Sequence, residues 1–220
     1  HINDIYLAIN PKGLLPALED NCNVVVESNE ILVYLDDTYG GKRFQPMTAE
    51  RLDAQKTLMA LASDLHGHSK YLYYEFLFKP LVRKTKQQMV EFEKQQKDRK
   101  LVWFHKILSE QGGFDEEQLL TAFRSVEVIL NVVEDQLSDD EYLLGGDVQL
   151  ADLSLFPNIY RLQQMGYPLQ QRKRIRRWLK SMKKRESYRT AIAKFEPVKL
   201  LVFCTSYRLV RHIQGRSISH

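Results

Sequence analysis

The residues best suited to chemistry are Glu27 and Ser28, which lie between a strand-like run, Val24-Val25-Val26, and a helix-like run, Ile31-Leu32-Val33-Tyr34-Leu35. A helix N-terminus carries unpaired N–H groups and partial positive charge, so it attracts a carboxylate. Ser28 supplies an N–H and a hydroxyl there, and Glu27 supplies an anion for an ammonium group on the same ligand. The pair predicts a site for an α-amino acid head group. The competing interpretation is an ordinary strand end followed by an N-cap.

A second candidate feature, Leu15-Pro16, precedes the first strand-like run. Proline has no N–H, and a cis peptide bond before Pro16 would turn residue 15 outward. The N–H and C=O of Leu15 would then be free to pair with an extended peptide as an added strand. Together with Glu27 and Ser28, this pattern predicts a ligand that has an amino-acid head and a peptide backbone beyond it.

Local signals place these residues on a strand hairpin followed by one helix. The apolar runs at 16–19 and 24–26 are separated by Asp and Asn residues, which favour turns. Ser28 is a good N-cap residue, and the helix after it should end near Tyr39-Gly40-Gly41. The sequence after the linker at residues 40–46 is helical in pattern. It predicts a helix capped by Thr48, a break at Pro80, an exposed helical arm over 81–108, and helices from Asp115, over 149–165 and over 169–195.

Composition gives an ordinary globular background. The chain has 220 residues, 44% hydrophobic and 27% charged, which is enough for one large domain or two small ones. No apolar run approaches the ~20 residues that a membrane-spanning helix needs, and no secretion signal precedes the motifs, so a cytoplasmic protein is expected. Cys22 and Cys204 are expected to be reduced thiols. His66 and His68 point apart on a helix, which argues against a metal site.

Two motifs carry a family resemblance. The segment Asn10-Pro11-Lys12-Gly13-Leu14-Leu15-Pro16-Ala17-Leu18, with the later Glu-Ser pair and helix, resembles the glutathione-binding half of the thioredoxin-like domain in the glutathione S-transferase superfamily. The segment from Tyr142 to Leu153 resembles the capping box and hydrophobic staple of the helical domain in that superfamily, where Asp152 reaches back to the helix start. Trp178-Leu179 and the basic run after it resemble a later helix of the family. The resemblance covers roughly Ile5 to Phe195.

The resemblance implies a mostly helical α+β fold, with a partial thioredoxin-like glutathione-binding domain at 1–40, an all-α glutathione S-transferase C-terminal domain at 46–196, and a tail at 197–220. Leu15 and Pro16 would hold the cysteinyl part of glutathione, and Glu27 and Ser28 its γ-glutamyl head. The implied reaction is attack by the glutathione thiolate on a hydrophobic electrophile, as in detoxification. The implied assembly is a homodimer, to which the aromatic-rich segment from Tyr71 to Phe78 would contribute.

The catalytic residue is unknown. The segment that carries the sulfur-activating Tyr, Ser or Cys in the family precedes the motif and is expected to be missing here, so these 220 residues alone are expected to have little or no activity. Leu14 also departs from the family, because several classes place a polar side chain there, and Gln149 replaces the usual Ser or Thr cap. A non-catalytic glutathione-binding or scaffold protein is therefore the alternative. The polar insert before Asp115 resembles that of the ganglioside-induced differentiation-associated relatives, which are membrane-anchored.

Residues 172–185 form a strongly basic predicted helix with nine basic residues and no acid. Ile175, Trp178, Leu179 and Met182 recur at helical spacing, which buries one stripe and leaves the basic face in water. A solvated surface is the favoured interpretation, and attraction to an anionic membrane surface stays open. The absence of interleaved aromatic residues on that face disfavours nucleic acid.

Overall fold

The structure is a computed structural model, and it describes residues 4–110, 113–137, 139–196 and 198–213. These residues form two compact units, one drawn from 1–45 and 79–115 and the other from 46–78 and 116–220. The elements are, in chain order, α1 (Asp4–Ile9), β1 (Ala17–Asp20), β2 (Asn23–Val26), α2 (Ser28–Leu35), α3 (Ala49–Tyr73), α4 (Lys79–Val82), α5 (Lys86–Gln95), α6 (Arg99–Glu110), α7 (Glu116–Leu137), α8 (Leu150–Met165), α9 (Lys173–Lys184), α10 (Glu186–Ala191) and α11 (Val198–Ile213).

The predicted hairpin and its helix are present in the first unit. β1 pairs antiparallel with β2, with Ala17 opposite Val26 and Asp20 opposite Asn23. Both residues of the two-residue turn, Asn21 and Cys22, have positive φ, as a type I′ hairpin turn requires. α2 continues into a π-helical turn, Asp36–Gly40, and Gly41 ends it with φ of 62°.

The segment 81–108 was expected to be an exposed arm, and this expectation was wrong. It contains two helices that pack on each other, α5 and α6, and it buries Met89, Phe104 and Leu108. Thr85 and Gln88 form a capping box that begins α5. The apolar positions are sparse because each short helix buries only a narrow stripe. The sequence-based division at 1–40, 46–196 and 197–220 places this segment with the helical domain, whereas the structure groups it with the first unit.

The second unit is helical, and its core lies where α3 packs against α7 and α8. Thr48 caps α3, as predicted, by accepting a hydrogen bond from the Arg51 N–H at 3.3 Å. The helix predicted over 169–195 is divided into α9, α10 and a 3₁₀ turn, because Arg185 is extended, with ψ of 144°. No Pro or Gly marks that break. The predicted class, a small strand hairpin with a mostly helical remainder, is confirmed.

Asp152 organises the start of α8. Its Oδ2 accepts the Gln149 N–H at 2.9 Å, and its Oδ1 accepts the Leu143 N–H at 3.0 Å and the Trp178 indole N–H at 2.7 Å. Burial raises the pKa of the Asp152 carboxyl, and the three donors oppose that rise. The capping box predicted from the sequence is therefore confirmed, and the structure adds Trp178 to it.

Glu134 of α7 caps α9 from outside that helix. Its two carboxylate oxygens accept the Arg174 and Ile175 N–H groups, each at 2.9 Å. The first turn of α9 contains no acidic residue of its own. A carboxylate from a neighbouring helix thus satisfies the N–H groups that a local cap would otherwise satisfy.

Candidate functional site

The hairpin brings the two candidate features together. Because Ala17 pairs with Val26, the segments that leave the strands, Leu15-Pro16 and Glu27-Ser28, lie side by side at the same end of the hairpin. Opposed residues in an antiparallel pair have Cα atoms about 4.5–5.5 Å apart. All four predicted site residues therefore belong to one small surface, which we name the hairpin-end site.

The loop before β1 is held by Asn10, a buried side chain whose importance the sequence analysis missed. Its Nδ2 donates to the Leu14 carbonyl at 2.7 Å, and its Oδ1 accepts the Lys12 N–H at 3.1 Å. The Tyr6 hydroxyl also donates to the Leu14 carbonyl, at 2.5 Å. These contacts fix the backbone immediately before Leu15. The Asn10-Pro11 sequence is a turn signal that could have identified this brace.

Leu15 presents its backbone at this end of the hairpin. The Leu15-Pro16 peptide bond is cis. The Leu15 side chain is 67% exposed. Within the described part of the chain, neither the N–H nor the C=O of Leu15 has a hydrogen-bond partner. The main-chain donor and acceptor of this residue are therefore available to a peptide ligand.

Glu27 has an unusual backbone conformation. Its φ is 69° and its ψ is 126°, a region that non-glycine residues rarely occupy and that costs on the order of 1–3 kcal/mol. Such strain is characteristic of ligand-binding positions. It also directs the chain abruptly from β2 into α2, whose first helical bond runs from the Ile31 N–H to the Glu27 carbonyl at 3.0 Å.

Ser28 is the first residue of α2, so the expectation that it is the N-cap was wrong by one position. The N-cap is Glu27, and no side chain caps this helix end. Neither the N–H nor the hydroxyl of Ser28 is hydrogen-bonded to another described residue. An open helix N-terminus at Ser28 favours a carboxylate, as the sequence predicted.

Lys12 adds a positive charge that the sequence analysis did not identify. Its Nζ lies 3.0 Å from the Glu27 Oε1, and the two side chains are 65% and 58% exposed. Fifteen residues separate Lys12 from Glu27, and no sequence pattern pairs them. Because both groups are solvated, the ion pair contributes only about 0–1 kcal/mol and can exchange for another partner.

The opposite end of the hairpin is occupied by structural contacts. Asp20 accepts hydrogen bonds from the Tyr39 hydroxyl at 2.5 Å and the Tyr34 hydroxyl at 2.8 Å, which lower the pKa of the Asp20 carboxyl. These bonds attach α2 and the turn after it to the hairpin. Cys22, an exposed free thiol, lies at this end. The four-residue strands separate Cys22 from the hairpin-end site by roughly 13 Å.

The other candidates lie in the second unit and serve its packing. His66 Nδ1 is 3.3 Å from Asn158 Oδ1, a contact between α3 and α8. The five aromatic side chains of the Tyr71–Phe78 segment are buried or half-buried. Cys204 is outside the side chains that the structure describes. No helix in the described ranges has both the length and the apolar character to cross a bilayer.

Comparison with known proteins identifies both halves of the chain. A model described as glutathione S-transferase, N-terminal domain, matches residues 1–43, which include the hairpin-end site. A second model, described as glutathione S-transferase, C-terminal domain, matches residues 95–181. Glutathione S-transferase F10 of Arabidopsis thaliana is 27% identical over 198 residues, which cover 86% of this chain and 78% of the relative.

Solved structures share the fold. The crystal structure of β-etherase LigF from Sphingobium sp. strain SYK-6 has a TM-score of 0.79 at 22% identity, covering 88% of this chain and 83% of that one. A theta-class glutathione S-transferase from Xanthomonas axonopodis pv. citri, with glutathione bound, has a TM-score of 0.64 at 20% identity, covering 86% and 76%. The fold expected from the motifs is therefore confirmed.

Proposed function

The chain belongs to the glutathione S-transferase superfamily, and from this premise we propose that it binds glutathione at the hairpin-end site and conjugates it to hydrophobic electrophiles. The observation that carries the proposal is the placement of Glu27, Ser28 and Leu15 at one end of the hairpin, where the Glu27 carboxylate is solvent-exposed and the main-chain N–H groups of Leu15 and Ser28 have no partner among the described residues. This arrangement offers partners to the ammonium and α-carboxylate of a γ-glutamyl head and to the main chain of the residue after it.

The γ-glutamyl head would be held by Glu27 and Ser28. The Glu27 carboxylate pairs with the ligand ammonium, and the Ser28 N–H and hydroxyl donate to the ligand α-carboxylate at the positive end of α2. The Glu27 backbone turns the chain directly from β2 into α2, so the two residues that would hold the head group are consecutive.

The cysteinyl part would lie along Leu15. The Leu15 N–H donates to a ligand carbonyl and the Leu15 C=O accepts a ligand N–H, so the peptide adds to the chain as a short extended strand. In the proposed reaction the thiol loses its proton, the thiolate sulfur forms a bond to an electrophilic carbon, and the leaving group departs with its bonding electrons.

Tyr6 and Cys22 have no role in activating the sulfur in this proposal. The Tyr6 hydroxyl donates to the Leu14 carbonyl at 2.5 Å and so braces the loop. The Cys22 thiol lies at the far end of the hairpin. We expect Tyr6→Phe to lower stability rather than change the pH dependence of turnover, and Cys22→Ser to leave turnover unchanged.

Two measurements test the proposal on one sample. Calorimetric titration with glutathione measures binding, and conjugation to an aryl halide, followed by absorbance, measures turnover. Binding with turnover supports the transferase. Binding without turnover, when the measurement is repeated on the protein extended at its N-terminus, supports the alternative, a glutathione-binding or scaffold protein, and absence of binding contradicts both. The substrate panel should include a β-ether and maleylpyruvate, because the similar proteins include a β-etherase and a maleylpyruvate isomerase.

A further inference from the structure

The backbone of Lys12 is fixed while its side chain is free to move. The Lys12 N–H donates to the buried Asn10 side chain at 3.1 Å, and the Gly13 N–H donates to the Asn10 carbonyl at 2.8 Å. The Lys12 side chain is 65% exposed. A flexible cation is thus anchored beside the hairpin-end site.

The Lys12 ammonium is paired with the carboxylate that the ligand ammonium would need. The Lys12 Nζ is 3.0 Å from the Glu27 Oε1, the carboxylate to which the proposed function assigns the ligand ammonium. Two ammonium groups near one carboxylate repel each other. Binding of the head group therefore favours the departure of Lys12 from Glu27.

Resting on the proposed function, we infer that Lys12 is a specificity-determining residue, which exchanges the Glu27 carboxylate for the α-carboxylate of the bound head group. Ser28 follows Glu27 directly, and consecutive Cα atoms are about 3.8 Å apart. The Ser28 N–H that would hold this carboxylate therefore belongs to the residue next to the one that Lys12 contacts. Lys12 thereby pairs with an anion in both the free and the bound protein.

The exchange selects for a zwitterionic α-amino acid head over a simple amine. A ligand that has the ammonium but lacks the α-carboxylate displaces Lys12 and offers it no new partner. Such a ligand competes with Lys12 for Glu27, whereas glutathione replaces the lost contact. Lys12 should therefore oppose binding of the amine and leave binding of glutathione nearly unchanged.

The test compares glutathione with 4-aminobutyryl-cysteinyl-glycine, which lacks only the α-carboxylate, by calorimetric titration of the full chain. Because exposed ion pairs are weak, we expect Lys12→Met to strengthen binding of the analogue about twofold to fivefold and to change glutathione binding by less than about twofold. Lys12→Arg, which keeps the charge, should preserve the wild-type preference. Lys97→Met removes another exposed cation of the first unit and should leave the preference unchanged.

The outcomes separate this inference from the proposed function. Tighter binding of the analogue with nearly unchanged binding of glutathione in Lys12→Met supports the inference. Equal shifts in the same direction, or no shift, overturn it and leave the proposed function standing when the wild-type protein binds glutathione. Failure of the wild-type protein to bind glutathione overturns both.

Discussion

Replacement of Asp152 should destabilise the helical unit more than any surface acid can. The carboxylate is fully buried and accepts three N–H groups, from Leu143, Gln149 and Trp178. Asp152→Ala leaves all three donors without a partner, at about 1–3 kcal/mol each. The variant also no longer has to desolvate a buried carboxylate, and this gain offsets several kcal/mol of the loss from the unpaired donors. We expect a net loss of about 3 kcal/mol in the free energy of unfolding.

Asp152→Asn separates the contributions. The amide oxygen can still accept the two hydrogen bonds now made to Oδ1, from Leu143 and Trp178, while the amide N–H₂ faces the Gln149 N–H. Only the bond to Gln149 is lost, so the expected cost is about 1–2 kcal/mol. Asp135→Ala, an exposed acid on α7, is the matched control and should change stability by less than about 0.5 kcal/mol.

The assay is urea unfolding followed by the fluorescence of the buried Trp178. The chain has two tryptophans, and the other, Trp103, lies in the first unit. A Trp103→Phe background therefore limits the signal to the helical unit. If Asp152→Ala proves as stable as Asp135→Ala, the expected role of Asp152 is refuted, because three unpaired buried N–H donors must lower the free energy of unfolding. Equal losses in the Ala and Asn variants would refute the assignment of two bonds to Oδ1.

Three further predictions concern pH, capping and assembly. Burial and the nearby Lys84 lower the pKa of His105 to about 4. Between pH 6.5 and pH 4 the unfolded chain therefore binds a proton that the folded protein does not, so the free energy of unfolding should fall by ~1–3 kcal/mol as the pH is lowered over this range. His105→Gln should abolish this pH dependence in urea titrations. Glu134→Ala should cost about 1–2 kcal/mol by uncapping α9, measured through Trp178, while an unchanged midpoint would contradict the cap. Light scattering at micromolar concentration should show a homodimer, as proposed from the family; a monomer would exclude it.

Local chemistry predicted the elements of the hairpin-end site well. Asp and Asn at the turn, the valine run and the Glu-Ser junction each act over a few residues, so their signals are readable in the sequence. The Asp152 capping box is equally local. The sequence could not reveal the Lys12–Glu27 ion pair, the cap that Glu134 provides or the hydrogen bond from Trp178 to Asp152, because these contacts depend on the tertiary arrangement.

The helical segments were predicted less accurately where the signal was ambiguous. Residues 81–108 have few apolar positions, and only the packing of α5 on α6 explains how Met89 and Leu108 are buried. The break at Arg185 has no proline or glycine to mark it. Ser28 was assigned to the N-cap because serine favours that position, whereas the strained Glu27 occupies it.

The most direct test of the central claim is calorimetric titration of glutathione into the wild-type protein, Glu27→Gln and Ser28→Ala. Glu27→Gln keeps the side-chain size and removes the charge that pairs with the ligand ammonium, and Ser28→Ala removes the hydroxyl at the start of α2. Each should weaken binding by ~1–3 kcal/mol, while Glu30→Gln, an exposed acid of the same helix, should change it little. Unchanged affinity in both Glu27→Gln and Ser28→Ala would contradict the hairpin-end site.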